Sequence, residues 1–235
     1  MSSSQPHRSI PTEDRVSSLP DSIISHILSF LPTKDSVATS VLSKRWNPLW
    51  LSVLDLNFDA QTFKDYITFH HAIYSVIVSR DNTLPIRSFR LKFGKEYDIN
   101  NINRFINAAI QRGIEKLDIV MMDNVNGLTD SIFSCKTLTV LKLKNLSVKD
   151  DNCNVDLPIL KVLCLDNMLF NGKPDIYKFL LGCPILEELQ TSLAALYLKK
   201  LTPETPNLAI TSIPESKYIH EYFLPRVENM RLKLV

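Results

Sequence analysis

The chain has 235 residues, 45% of them hydrophobic and 22% charged, with a formal net charge of +2. That balance belongs to an ordinary folded chain and excludes both a disordered polar segment and a protein that neutralises nucleic-acid phosphates with a basic surplus. Cys135, Cys153, Cys164 and Cys183 form no C-x-x-C pair and have no histidine companion at zinc spacing, so free thiols and no metal are expected.

Residues 1–13 are mostly Ser, Pro and charge, and read as a disordered leader. They carry no apolar core of a secretory signal, and no later run is long enough for a membrane span, so a nuclear or cytoplasmic protein is expected. Order begins where Leu19, Ile23, Ile24, Ile27, Leu28 and Leu31 fall at helical spacing. Ser18 is placed to cap this helix, Pro20 suits its first turn, Asp21 favours its positive end, and Pro32 ends it. Thr33 is placed to cap a second helix bearing Val37, Ala38, Val41 and Leu42, and a third short piece carries Trp46, Leu49 and Trp50 around Pro48. So small a unit exposes more apolar surface than it can hide, and the surplus must meet either a partner or the rest of the chain. His26 falls on the polar side of the first helix and reads as a solvated residue.

Phe63, Tyr66, Ile67, Ile73, Tyr74 and Ile77 mark an amphipathic helix within residues 60–80, suited to bridge what precedes and follows it. His70 and His71 in it diverge by about 100° and lack a third ligand, so His70 reads as a hydrogen-bonded core residue and not as part of a metal pair.

From residue 86 a pattern of apolar-x-x-apolar-x-apolar recurs. Its copies are Ile86/Phe89/Leu91, Ile114/Leu117/Ile119, Leu138/Leu141/Leu143, Leu160/Leu163/Leu165 and Leu186/Leu189/Thr191. Leu51/Leu54/Leu56 reads as a weak opening copy, with Leu193/Leu196/Leu198 and Val227/Met230/Leu232 as continuations. The alternating half of each copy is a short strand. Helical stripes fall between them, at Ile102, Phe105, Ile106, Ala109 and Ile110 before Gly113, and at Ile176, Tyr177, Phe179 and Leu180 between Pro174 and Gly182. One such unit cannot bury its apolar face, so neighbours must stack with parallel strands inside and helices outside.

The order and spacing of Leu19-Pro20, Ile23, Ile27-Leu28, Leu31-Pro32, Val41-Leu42-Ser43 and Lys44-Arg45-Trp46 resemble the F-box, over residues 14–55. The resemblance implies a three-helix module that docks on a Skp-type adaptor and, through it, a cullin. Leu19, Pro20, Ile23, Ile27, Leu28, Leu31, Pro32 and Trp46 would be its adaptor-binding residues. Residues 86–235 resemble the leucine-rich repeat, with 56–85 as a linker strand and helix. The asparagine usual after each strand is missing from the positions taken as equivalent, Gly94, Met122, Leu146 and Met168, which implies an irregular solenoid. The combination, with segments such as LPILKVLCLDNMLF and GCPILEEL, is similar to plant F-box proteins with leucine-rich repeats. Many of these continue into a further C-terminal domain of FBD type, and a chain ending in the strand-like Met230–Val235 reads as truncated before it.

The expected fold is therefore α/β, with an N-terminal helical module and a solenoid whose strands line the concave side. Functionally, the resemblance implies the substrate-recognition subunit of a Skp-cullin-F-box ubiquitin ligase, with a non-ligase binding scaffold as the alternative. No enzyme, cofactor, nucleic acid or membrane is expected. Cys135 and Cys183 share one phase of two repeats, as small buried residues would, with no base beside them. Asp150-Asp151 and Glu187-Glu188 read as solvated charge. Outward strand positions are the natural client-binding surface, and Arg90, Lys92, Lys142 and Lys144 make its early part basic while Asp166 and Glu188 make its later part acidic. A protein client with an acidic patch would complement the early part.

Overall fold

Every second residue of each repeat copy is apolar, and in the computed structural model, which describes residues 16, 18–94, 96–149, 154–171, 181–191 and 231–234, these residues stack into one parallel sheet. The strands are β1 (Asp55–Asp59), β2 (Ser88–Phe93), β3 (Lys116–Asn126), β4 (Val140–Lys149), β5 (Val162–Asp166), β6 (Leu169–Asn171), β7 (Glu188–Thr191) and β8 (Arg231–Leu234). They run in the order β1-β2-β3-β4-β5-β7-β8, with β6 on β4. Phe89, Leu117, Leu141, Leu163 and Leu189 are paired in register, as are Leu91, Ile119, Leu143 and Leu165 in the next row. All are buried, each leucine contributing roughly 1.5–3 kcal/mol relative to exposure.

The opening copy of the repeat stands two residues later than expected. Leu56 pairs with Phe89 and Phe58 with Leu91, so the opening copy is Val53/Leu56/Phe58 rather than Leu51/Leu54/Leu56. At the far end Leu232 pairs with Leu189 and Leu234 with Thr191, which moves that copy by two residues as well. The copy at Leu193 and the helix expected from Ile176 to Leu180 lie outside the described residues.

Helices α1 (Asp21–Leu28), α2 (Thr33–Ala38), α3 (Tyr66–Ser79) and α4 (Ile99–Gln111) complete the fold. Helix α3 opens on a capping box of Asp65 and Thr68, and two backbone and side-chain bonds from Thr68 hold the Asp65 carboxyl below its usual range. It buries Phe69, Ile73, Val76 and Ile77, while Ile67 and Tyr74, expected on the same face, are exposed. The apolar residues of α3 surround it too evenly for the pattern to select a face, and the sheet selects one. The ring of His70 is half-buried and packs on Tyr66 and Phe105, with centroids 6.0 and 5.2 Å away, in place of the expected hydrogen bond. Helix α4 buries Ile102, Phe105, Ile106 and Ala109 and stops at Gly113, whose φ of 72° a side chain would resist. Beyond α4 the described connections shorten, to a 3-10 turn at Asp130–Ser134 and to an irregular segment at 154–161.

Two of the four repeats carry the asparagine after all, one residue earlier than the positions compared, where the first two repeats have Phe93 and Met121. Asn145 and Asn167 both adopt left-handed φ values, 55° and 50°. The Asn145 side chain donates to the Met121 carbonyl at 2.7 Å, and Asn167 donates to Asn145 Oδ1 at 2.9 Å. The chain turns there, so that pairing resumes at Leu146 with Val125 and at Ser147 with Leu169. Asparagine suits this corner because its amide bonds locally while its backbone tolerates the left-handed region.

The helical module is joined to the sheet by a polar seam over an apolar one. Thr33 is the first residue of α2, whose N-cap is Pro32, and its hydroxyl accepts from the Asn57 amide at 2.7 Å on the outer edge of β1 instead of capping its own helix. Helix α1 likewise begins after Pro20 without a side-chain cap. Val37 and Trp50 pack on the main core, and Trp50 also touches the small core of the module. Arg80, 2% exposed at the end of α3, donates to the Val53 carbonyl, and Arg112 at the end of α4 donates to the Ile77 carbonyl at 2.9 Å. Among the described residues Arg80 Nε and Nη2 and Arg112 Nη1 are buried without an acceptor. The two cations stand at helix C-termini, where the helix dipole favours positive charge. Burial, with Arg112 adding repulsion, lowers Arg80 to about 10, so it stays charged at neutral pH.

Replacing Asn145 by Ala removes two hydrogen bonds and leaves a Cβ in the left-handed region, which should cost about 2 kcal/mol. Replacing it by Gly should recover roughly half of that loss, because only the backbone strain is relieved. Midpoints of urea unfolding for the three proteins check both values.

Candidate functional site

Helix α1 carries two apolar stripes side by side. Ile24 and Leu28 point inward, with 0% and 1% exposure, and close a small core with Trp46, Leu49 and Val53. Ile23 and Ile27 on the next stripe are 45% and 42% exposed, and Phe30 beyond them is 75% exposed. Val41 and Leu42 are also open, at 85% and 65%. Pro20 is exposed, and Leu19, Leu31 and Pro32 are half-buried at the rim. Leu28 and Trp46, expected to touch a partner, instead belong to the core: a helix this short has one inward face, and i, i+4 spacing from Ile24 puts Leu28 on it. Phe30, the largest apolar ring on the surface here, was not singled out in the sequence, although it stands three residues after Ile27.

The module around this surface is held by short-range polar bonds. The Ser36 hydroxyl donates to the Leu28 carbonyl at 2.8 Å, closing the end of α1. Arg45 donates to Asp21 Oδ1 from Nε at 2.8 Å and from Nη2 at 2.6 Å, and also to the Leu19 carbonyl. His26 is exposed and meets the Phe30 ring edge-on with centroids 4.9 Å apart.

The second candidate surface is the solvent face of the sheet. Its rows run across the strands as Asp55, Ser88, Lys116, Val140, Val162, Glu188, then Asn57, Arg90, Asp118, Lys142, Cys164, Gln190, then Asp59, Lys92, Val120, Lys144, Asp166. The early part is not the basic patch expected. Arg90 pairs with Asp118 at 3.2 Å, Lys92 with Asp59 at 3.0 Å and Lys144 with Asp166 at 2.5 Å, because the parallel register sets opposite charges on neighbouring strands. Glu188 accepts from Gln190 at 2.9 Å. Glu187 pairs with Lys161 at 2.8 Å, and Asp150-Asp151 lie outside the described residues. Burial raises the Asp118 carboxyl, against the pull of Arg90 and then Lys142.

Cys135 and Cys183 are buried, Cys164 is half-exposed on the sheet face, and Cys153 lies outside the described residues. Burial lifts the Cys183 thiol to about 12 and raises Cys164 as well. Neither has the lowered pKa of a nucleophile. Among the described residues no cluster of three His, Cys, Asp or Glu could hold a metal, and no helix is long and apolar enough to cross a membrane.

Residues 16–57 match the F-box domain, and residues 102–229 match the family described as FBD-associated F-box protein At5g56370, LRR repeats. The F-box/FBD/LRR-repeat protein At4g00160 of Arabidopsis thaliana is 37% identical over 189 residues, covering 77% of this chain and 42% of that protein. The FBD-associated F-box protein At5g56370 of the same plant is 39% identical over 184 residues, covering 74% and 42%. The F-box/LRR-repeat protein At4g14103, also from Arabidopsis thaliana, is 37% identical over 188 residues, covering 76% and 49%. The chain thus spans less than half the length of these relatives.

The two stripes of α1 should separate by stability. Leu28→Ala should cost about 2–5 kcal/mol, whereas Ile23→Ala and Ile27→Ala should each stay within about 0.5 kcal/mol of the parent, as judged by denaturant unfolding. In a Cys153→Ser background, a thiol reagent should label Cys164 slowly in the native protein and reach Cys135 and Cys183 only on unfolding, with peptide mass mapping as the readout.

Proposed function

The chain belongs to the family of F-box proteins with leucine-rich repeats, and from that premise we propose that it is the substrate-recognition subunit of a Skp-cullin-F-box ubiquitin ligase. Its helical module docks on a Skp-type adaptor and thereby on a cullin, and its sheet face holds a protein client. The observation that supports docking is the uncovered stripe of Ile23, Ile27 and Phe30 lying beside a stripe, Ile24 and Leu28, that already serves the chain's own core. Apolar surface left over after a module has closed its core is surface suited to a partner. Leu19, Pro20, Leu31 and Pro32 form the rim of that contact, with Val41 and Leu42 exposed on the same module.

The role is proximity without catalysis by this chain. A client held on the sheet face sits at high effective concentration near ubiquitin delivered elsewhere in the assembly. The polar and apolar seam between module and sheet fixes the distance between the two bound partners. The site of action is the nucleus or the cytoplasm. The alternative, a binding scaffold without a ligase, makes no use of the open stripe of α1.

Size-exclusion chromatography with a Skp-type adaptor tests the reading. The wild-type chain should elute as a stoichiometric complex, and an Ile23→Asp, Ile27→Asp variant that keeps its unfolding midpoint should elute alone. A complex that survives the double substitution, or none with the folded wild type, would sink the proposal and leave the scaffold.

A further inference from the structure

Among the cations of the sheet face on β2, β3 and β4, Arg90 is matched to Asp118, Lys92 to Asp59 and Lys144 to Asp166. Lys116 on β3 and Lys142 on β4 are the exceptions: both are exposed, and neither has a carboxylate within 4 Å among the described residues. Lys116 is paired in register with Val140, which places Lys142, two residues on, diagonally opposite it at about 7–8 Å. The asymmetry has a structural cause. Asp118, the in-register neighbour of Lys142, is drawn to Arg90 on the other side and is half-buried there.

The same two lysines border the least polar stretch of this face. Val140 is followed across the sheet by Val162, and Lys142 by Cys164, all three half-buried. Glu188 and Gln190, hydrogen-bonded to each other, bound the stretch on the β7 side.

Resting on the reading of this face as the client site, we propose that the spot binds a client segment presenting an aspartate or glutamate next to an aliphatic side chain. The carboxylate lies between Lys116 and Lys142, and the aliphatic group covers Val140, Val162 and Cys164. The two lysines outweigh one carboxylate, and Asp118 and Glu188 on the neighbouring strands offset part of the remainder. A phosphate, with nearly two negative charges, would meet about twice the repulsion from those two acidic groups that a carboxylate meets.

The test pans a random peptide display library on the full chain held by a Skp-type adaptor, then measures a synthetic consensus peptide by fluorescence anisotropy. Enrichment of Asp or Glu beside Val, Ile or Leu is expected. A Lys116→Glu, Lys142→Glu variant should bind that peptide roughly tenfold more weakly or worse, and raised salt should weaken binding to the parent. A Lys116→Gln, Lys142→Gln variant, which sets no carboxylate opposite Asp118, should also bind more weakly and keep its unfolding midpoint, since both lysines are exposed. Failure to enrich any peptide, enrichment without acidic residues, or undiminished binding by the folded variant would each overturn the inference. If the adaptor complex does not form, the panning is run on the chain alone, so that loss of the ligase reading is scored separately from loss of this site.

Discussion

Parallel register is the constraint from which the rest of this molecule follows. A strand whose inward residues are Leu, Ile and Phe gains from burial only if its neighbour offers the same residues at the same height, and each unit alone leaves that face in water. The rows from Leu56 through Phe89, Leu117, Leu141 and Leu163 to Leu189 meet that demand without a break. Once the inward rows are fixed, the outward ones are fixed too, because side chains alternate along a strand. The cross-strand ion pairs of the solvent face are therefore a by-product of core register, and a slip by one residue would destroy both together.

The helical module depends on the same sheet. Its own core is five residues deep in side chains, Ile24, Leu28, Trp46, Leu49 and Val53, too few to hold so short a set of helices alone. Trp50 and Val37 lend it the main core, and Arg80 and Thr33 tie its backbone to that of the array. The uncovered stripe of α1 is thus presented by helices that cannot swing freely, which limits the entropy that a partner must remove on binding.

Periodicity and spacing made most of the architecture legible. The five strong repeat copies all became strands or strand entries, and the stripe of α4 was read residue for residue. The weak copies at Leu51 and Val227 were each misplaced by two residues, the first because Leu51 and Leu54 imitate the pattern while the true inward pair, Leu56 and Phe58, follows it. The asparagine corner was missed for a similar reason: the usual spacing was assumed, and Asn145 and Asn167 stand one residue short of it. The open apolar surface of α1 was readable as a region but not as a face. Leu28 and Ile27 are chemically alike, and only packing against Trp46 and Leu49 decides which is inside. Charge on the sheet was misjudged because a list of lysines omits their neighbours on the next strand, which become visible only with register.

Thr33 accepting from the Asn57 amide closes the outer edge of the first strand. Growth of the array therefore has a direction. A unit duplicated or lost between later strands preserves the junction at β1, since each interior strand needs only a neighbour in register on either side. A change before β1 would leave that amide without its acceptor and part the N-terminal helices from their support. Repeat number can vary down the array while the junction at its beginning stays the same, so the rows of the solvent face can change without disturbing the support of the N-terminal helices.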